Sequence, residues 1–550
     1  MKQYILPAAA CFLFLNSFAQ KKQADLLLHN GKIYTVDAKF SVASAMAVKD
    51  GKIIEVGDSK SLLANYSATE KIDAGGKAVY PGFIDAHAHF LGYGMGLQSA
   101  NLVDTESWDA ILSRLQAFAN SKNIQPGQWI TGRGWDQNDW PVKEFPSKDK
   151  LDELFPGNPV LLTRIDGHAA VANQKALDAA GVTTTTKITG GDVEVKGGKL
   201  TGILIDNVVD LVSDKMPAPT KEQTKAALLE AQQNCFAMGL TTVDDCGVSY
   251  QTAQLYDEMQ KNGQLKMRIY AMLSDAAPNY NFAKQKGKIK TPFLNVSSFK
   301  VYADGALGSR GACLLHPYTD RPDWQGFLLS PLTHFDSVAN VLYKLGWQMN
   351  THAIGDSGNR AILNIYGKYL KGKNDRRWRI EHSQVVNKAD FALFGKYSVV
   401  PSVQPTHATS DMYWAEQRLG TERVKGAYAF KDLMKQNGWI PLGTDFPVED
   451  ISPFKTFLAA VFRVDAKGYP QGGYQMENAL SRQEAIRGMT IWAAKSNFEE
   501  GEKGSLEKGK WADFIILDQD LMTVPVTKVL ETTVEATYVG GKQAFSKKAF

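Results

Sequence analysis

Through the middle of the chain, short apolar runs ending on a charged or imidazole-bearing residue alternate with stretches whose apolar positions recur every three or four residues. The first kind predicts strands and the second amphipathic helices. Eight strand candidates emerge: Phe83–His89, Leu240–Asp245, Met267–Leu273, Ser298–Asp304, Gln348–His352, Trp378–His382, Val399–Gln404 and Trp439–Asp445. Segments such as Lys221–Met238 and Gly358–Leu370 carry helical spacing between them. Eight alternations are the pattern of an α/β fold, a (β/α)8 TIM-like barrel, here over residues 80–500. Periodicity alone does not fix the strand count, because a short apolar run suits a buried helix as well as a strand.

The two ends of the chain follow another rhythm. From Ala24 to Val79, short strand-like runs are punctuated by Gly, and Asn30-Gly31 and Asp50-Gly51 both read as hairpin signals. The same style returns in Ala512–Leu517 and Val534–Val539, ahead of Gly540-Gly541. Residues 20–79 and 501–550 are therefore expected to pair into one β-sandwich domain, since the termini of a domain often lie close together. One long segment, about 92–231, breaks the barrel alternation after the first strand. It contains Trp129–Trp135 and Val160–Ala169 and is expected to form an insertion subdomain at the barrel mouth.

Composition narrows the picture only a little. The 550 residues are 44% hydrophobic and 22% charged, enough for a large core. The net charge of +4 is slight and its basic residues are scattered, so no nucleic-acid partner is expected. Residues 1–19 read as an export signal: Lys2 opens it, Ile5–Leu15 is apolar, and Ser17-Phe18-Ala19 offers small-x-small cleavage. A periplasmic or secreted location follows. Cys11 lies inside the apolar segment rather than after it, which disfavours lipid anchoring. No stretch is long enough to span a bilayer once that signal is removed. Cys235, Cys246 and Cys313 then remain; they make no disulfide framework, and a Cys235–Cys246 bridge and self-association both stay open.

Chemistry gathers at the strand ends. His87 and His89 are two residues apart, so on a strand they point to one face and can grip one ion together. Lys300, His352, His382 and Asp445 lie on four later strand candidates, the last three at the very end of theirs. In a barrel of this type the carboxyl ends of the strands carry the functional side chains. Zinc accepts imidazole nitrogen and carboxylate oxygen, so His87, His89 and Asp445 can hold one divalent ion and His352 and His382 a second. Two such ions at about 3.5–4 Å need a bridging anion. Burial drives a lysine toward its neutral amine, which can add carbon dioxide and become a carbamate, a bridge between two metals. The alternative for Lys300 is a plain ion pair with Asp304 or Glu381.

These residues carry a family likeness. Pro81–His89, the lysine on the fourth strand, single histidines on the fifth and sixth, and Asp445 on the eighth resemble the metal-dependent amidohydrolase superfamily. Gly132–Asp136, Asp166-Gly167-His168, Lys300–Arg310, His352–Asp356, Gln404–His407 and Gly443–Pro447 resemble its YtcJ-like branch, the amidohydrolase-3 group, which includes N-substituted formamide deformylases. The closing Gly504–Phe514 looks like that superfamily's return to its β-sandwich.

The resemblance implies His87, His89 and Asp445 on a buried metal, His352 and His382 on an outer one, and carboxylated Lys300 between them. It further implies attack by a metal-bridging hydroxide, with Asp445 carrying the proton to a departing nitrogen. The expected substrate is a small amide: a formamide, N-acyl amine or N-acyl amino acid. Deamination, ester or lactone hydrolysis, a lyase step, or a metal-stabilised binding protein without catalysis remain open on the same fold. Around this set, His168, His407, Arg310 and Trp135 are candidate substrate contacts. His168 and His407 have the alternative of structural hydrogen bonding, Arg310 of a solvated loop, and Trp135 of the insertion's own core.

Overall fold

The computed structural model describes residues 21–547; the expected export signal at 1–19 lies outside the described residues. Seven parallel strands form the central sheet: β1 (Phe83–Ala88), β2 (Leu240–Val248), β3 (Arg268–Ser274), β4 (Leu294–Tyr302), β5 (Gln348–Ala353), β6 (Arg379–His382) and β7 (Val400–Ser402). They lie side by side in chain order, each parallel to the next. This nearly closed parallel barrel is a TIM-like α/β fold. Helices cover its outside. Asp356–Leu370, for example, buries Ile362, Leu363, Ile365, Tyr366 and Leu370, the three-to-four spacing that lays one apolar face on the sheet.

The eighth expected strand, Trp439–Asp445, is not a regular one. Pro441 has no N–H to donate to a ladder. The segment still closes the gap between β7 and β1: Gly443 N donates to Val403 O (3.0 Å), Ala86 N donates to Leu442 O (3.2 Å), and Asp445 N donates to His87 O (2.7 Å). Closure thus runs through individual hydrogen bonds instead of a continuous ladder.

Two further sheets gather the chain ends. One has four strands, with Lys22–His29 between Ala45–Lys49 and Tyr66–Asp73. In the other, Ala78–Pro81 pairs with both Lys32–Tyr34 and Phe514–Leu517, so strands from opposite ends of the sequence share a sheet. Leu26, Met46 and Val48 of the first sheet pack in one cluster with Ile33, Phe514 and Tyr538 of the second. Asp50-Gly51 is the expected hairpin, both residues taking positive φ between antiparallel Ala45–Lys49 and Lys52–Gly57. Asn30-Gly31 is not: the strands on either side of it belong to different sheets, so this turn hands the chain from one to the other.

Between β1 and β2, a separate six-stranded sheet runs from Ala100 to Asp206. Its core includes Leu102, Trp135, Trp140, Leu162 and Ile203. Helix Lys221–Ala237, at the end of the segment read as an insertion, packs instead with the barrel: Leu228, Ala231, Cys235 and Phe236 belong to the main core. Cys235, Cys246 and Cys313 are free thiols, so the Cys235–Cys246 bridge is not made. Among the described residues no helix is long and apolar enough to cross a membrane.

Candidate metal centre

The carboxyl ends of the barrel strands open into a cavity of about 600 Å³, roofed by the six-stranded sheet. His89, Lys300, His352, His382 and Asp445 line it, and His87 lies just beneath, fully buried. Asp445 is the hub. Its Oδ1 stands 3.4 Å from His87 Nε2 and 3.2 Å from His89 Nε2; its Oδ2 stands 3.3 Å from His407 Nε2. His87, His382 and Asp445 each offer a ligand atom within 4.8 Å of the other two. The imidazole of His382 packs against those of His87 and His352, with ring centres 4.7 and 4.5 Å away. His382 and Asp445 both hold left-handed backbone (φ 73° and 66°), a costly conformation for such residues that the surrounding hydrogen bonds enforce.

What stands behind each ring fixes its proton. His87 Nδ1 is 2.6 Å from Glu381 Oε2, His89 Nδ1 3.1 Å from the Cys246 carbonyl, and His382 Nδ1 2.7 Å from Gln404 Oε1. Each acceptor holds the N–H on Nδ1, leaving Nε2 with its lone pair. Burial, with help from the charge of Lys300, pushes His87 down to about 4. Burial likewise carries His352 and His382 well below the ordinary imidazole range. Burial opposes ionisation of Asp445, yet a proton held toward it on His87, and likewise on His407, His89 or His382, keeps its carboxyl well below the usual carboxylate range.

This donor set fits a divalent cation. Asp445 Oδ1 is buried without a hydrogen bond, although two imidazole nitrogens face it. With His87 neutral, its Nε2 lone pair is turned toward that oxygen and toward the Lys300 Nζ at 3.1 Å. A tetrahedral zinc at about 2.0–2.1 Å from each ligand would set those atoms about 3.3 Å apart, close to the separations found.

Lys300 is fully buried at the cavity floor, its Nζ 3.1 Å from His87 Nε2 and 4.8 Å from the centre of the Tyr302 ring. Burial pulls its amine down, but Tyr302, Cys246, Glu381 and Asp445 together leave it above its ordinary value. The readily deprotonated amine expected from burial alone is therefore not what these neighbours produce; a nearby cation would have to oppose them.

The candidate substrate contacts separate into two groups. His168 lines the cavity with its ring centre 5.1 Å from that of His352, its Nδ1 2.6 Å from Asp206 Oδ1. His407 also lines it, clamped between Asp445 and Glu449 (3.0 Å), and these two carboxylates overcome desolvation to raise it to about 10. Trp135 and Arg310 are elsewhere. Trp135 is buried in the six-stranded unit's core and donates Nε1–H to Leu162 O (2.8 Å). Arg310 pairs with Asp320 at 3.0 Å, off the cavity lining. A tryptophan with its N–H satisfied and an arginine with its charge neutralised have little left to offer a ligand.

Other residues complete the site without having been singled out. Glu381 orients His87 and sits 3.7 Å from Arg379, which pairs with buried Asp244 at 2.9 Å. Asp85 accepts from Thr444 N, Thr444 Oγ1 and His87 N, tying β1 to the closing segment. Asp304 accepts three backbone N–H groups, from Cys313, Ile354 and Gly355. Arg133 faces the cavity from the six-stranded sheet. The available signal was charge next to the motif residues: Asp85 precedes His87 by two positions, and Glu381 precedes His382 by one.

The sequence profile of the amidohydrolase family matches residues 70–545. The chain is 33% identical to Protein LONG AFTER FAR-RED 3 of Arabidopsis thaliana, over 95% of this chain and 92% of that one. It is 30% identical to amidohydrolase YtcJ of Bacillus subtilis (94% and 99%) and 26% identical to the N-substituted formamide deformylase of Arthrobacter pascens (94% and 97%). The crystal structure of a metal-dependent hydrolase from Pyrococcus horikoshii superposes with a TM-score of 0.74 at 28% identity, covering 91% of this chain and 99% of that one. The chain belongs to the amidohydrolase family, in its YtcJ-like group, and is a metal-dependent hydrolase.

Proposed function

We propose that this hydrolase cleaves a carbon–nitrogen bond other than a peptide bond, in a small formamide or N-acyl compound, with Asp445 as the proton carrier. The observation that carries the reading is Asp445 Oδ1 at the floor of the cavity, buried without a hydrogen bond and faced by the Nε2 atoms of His87 and His89 at 3.4 and 3.2 Å. His87, His89, His352, His382 and Asp445 would hold the metal, one or two zinc ions, with Lys300 carboxylated as the bridge if there are two. Bound there, a divalent ion supplies Lewis acidity toward a carbonyl oxygen and lowers the pKa of water.

The chain's own part is positional. Glu381, the Cys246 carbonyl and Gln404 hold three N–H groups outward, so the Nε2 atoms face inward. Asp445 takes a proton from the attacking water and delivers it to the leaving nitrogen, which would otherwise depart as an unstable amide anion. His407, held as a cation by Asp445 and Glu449, keeps Asp445 from accepting that proton too firmly. The similarity to an N-substituted formamide deformylase supports the choice of bond. The export signal read from residues 1–19 supports action outside the cytoplasm.

The test is amine release from a panel of N-formyl and N-acyl amines by zinc-loaded protein, with and without Asp445→Asn. Turnover by the wild type and a loss of about 10²–10⁴-fold in the variant are expected. A fully active, folded Asp445→Asn protein would remove Asp445 from the reaction.

A further inference from the structure

Of the two arginines that line the cavity, one is spoken for. Arg164 pairs with Asp166 at 2.6 Å and with Asp136, and its Nε donates to Gln137 Oε1 at 2.9 Å. Arg133 is different. Among the described residues it has no carboxylate within 4.0 Å. Its one hydrogen bond runs from Nη2 to the Ile165 carbonyl at 2.9 Å, and its Nε is buried without any partner. Nη1 makes no hydrogen bond to the protein.

The local backbone puts it there. Arg133 lies near the end of a strand, Ile130–Trp135, whose register with Val160–Arg164 slips between Arg133 and Trp135. The slip is at Gly134, with φ +110°, where an added Cβ would stand 2.4 Å from Val103 Cγ2. Such a bulge re-aims the neighbouring side chain. Gly167 lies against the guanidinium without a side chain to cover it; a Cβ there would already be in van der Waals contact with Nη1, at 3.4 Å. Of the carboxylates on the lining, Asp136 and Asp166 are tied to Arg164, Glu449 to His407 and Asp450 to Lys455, and none of these, nor Asp104, Asp139, Asp411 or Asp445, makes an ion pair with Arg133.

A guanidinium half-buried in a cavity wall, with Nε cut off from any partner and Nη1 unspent, is completed best by a ligand, and a planar carboxylate is the group whose geometry matches its fork. We infer that Arg133 binds a carboxylate carried by the substrate, so that the natural substrates are N-acyl amino acids and related acids in preference to neutral N-acyl amines. Arg133 and Asp445 line the same cavity, the first on the wall made by the six-stranded sheet and the second at the ends of the barrel strands. A carboxylate on the carbon next to the scissile nitrogen suits that arrangement.

This inference rests on the proposed amide hydrolysis, and one pair of probes separates the two. N-formylphenylalanine and N-formylphenethylamine differ by a single carboxylate. Zinc-loaded wild type should show a kcat/KM at least tenfold higher for the acid. Arg133→Met should reduce the acid-to-neutral ratio by about ten- to hundredfold, and Arg133→Lys, which keeps the charge without the fork, should restore part of it. A wild type indifferent to the carboxylate, or an Arg133→Met protein that loses both substrates in equal proportion, overturns the assignment. If the wild type hydrolyses neither probe, amide hydrolysis fails for this class, and calorimetric titration with the same pair decides the arginine separately. Tighter binding of the acid by wild type, abolished in Arg133→Met, supports it. Equal affinities, or no binding of either, reject it.

Discussion

At His87 the useful nitrogen is decided by the atom behind the ring. Glu381, 2.6 Å from Nδ1, draws the proton to that side, and its own charge is held below the ordinary glutamate range by His87, Arg379 and Lys300 against the pull of burial. Glu381→Gln retains an acceptor but removes the charge that makes the imidazole a better donor toward a cation. Zinc affinity should fall about tenfold or more in a chelator competition, with little change in the circular dichroism spectrum. Unchanged affinity would show that the Glu381–His87 contact is structural only. Asp85 permits a sharper test, because burial lifts its carboxyl to about 7. Between the unfolded value near 3.8 and that folded value, the native state binds the extra proton. Its contribution is therefore fully present at low pH and is lost as pH rises through 7. Relative to Asp85→Asn, metal-free wild type should lose about 1.4 kcal/mol of stability per pH unit across that window and nothing further above it. Denaturant titrations at pH 5 and pH 8 measure this, and parallel curves for the two proteins would refute it. Glu381 and Asp85 were hard to read from the sequence because their importance lies in what they touch, and those contacts cross 294 and 359 positions.

Among the elements, the segment from Ile440 to Asp445 shows where pattern reading succeeds and where it stops. Its apolar run placed it beside the strands, and hydrogen bonds from Gly443, Ala86 and Asp445 do set it between β7 and β1. Pro441 deprives it of a ladder, a feature that hydrophobicity alone does not weigh. The Asn30-Gly31 turn shows the same limit: two strands beside a turn pair only if no better partner exists, and here Tyr66–Asp73 and Ala78–Pro81 take them into different sheets. In the closing segment, Gly443 is the tight point. A Cβ on it would lie 2.6 Å from His87 N, 2.8 Å from Asp85 Oδ1 and 2.9 Å from His87 Cβ. Two of those atoms belong to backbone or its first carbon, so they cannot swing away. Gly443→Ala should push the segment off β1, costing about 1–3 kcal/mol of stability and displacing Asp445 from His87. Thermal denaturation and zinc content, measured together, check this. A variant with wild-type stability and full metal content would mean that the closure is looser than these distances indicate.

Across the whole molecule, alternation revealed the barrel because each of its strands is buried on both faces and reads as a short apolar run. The joining of the two ends was legible only as a shared style, since strand pairing between residues hundreds of positions apart leaves no local period. That union shares an apolar core with the barrel, where Tyr34, Ile515, Leu517 and Val534 cluster with Phe236 and Leu240, and it carries in addition a buried ion pair that is nearly invisible in sequence. Arg268, on β3, donates from Nε and Nη2 to the two carboxylate oxygens of Asp513, at 2.6 and 2.9 Å, and from Nη1 to Pro292 O at 2.6 Å. Asp513 also accepts from Gly540 N at 2.8 Å, so one carboxylate joins the barrel floor to the sheet built from both ends. Both side chains are almost wholly buried, at 1% and 5% exposure. A buried pair contributes modestly relative to two apolar residues, but removing one partner strands a charge in a site that cannot hydrate it. Asp513→Ala should therefore cost about 3–5 kcal/mol, whereas replacing both members with apolar residues of similar volume should cost much less. The double-mutant cycle is read by denaturant unfolding. Because Asp513 anchors the end of the barrel opposite the cavity, zinc content per folded molecule should stay near the wild-type value in the single variant. If Asp513→Ala lost its metal while remaining folded, the two ends of the barrel would be coupled, and the independence assigned to the catalytic rim would have to be abandoned.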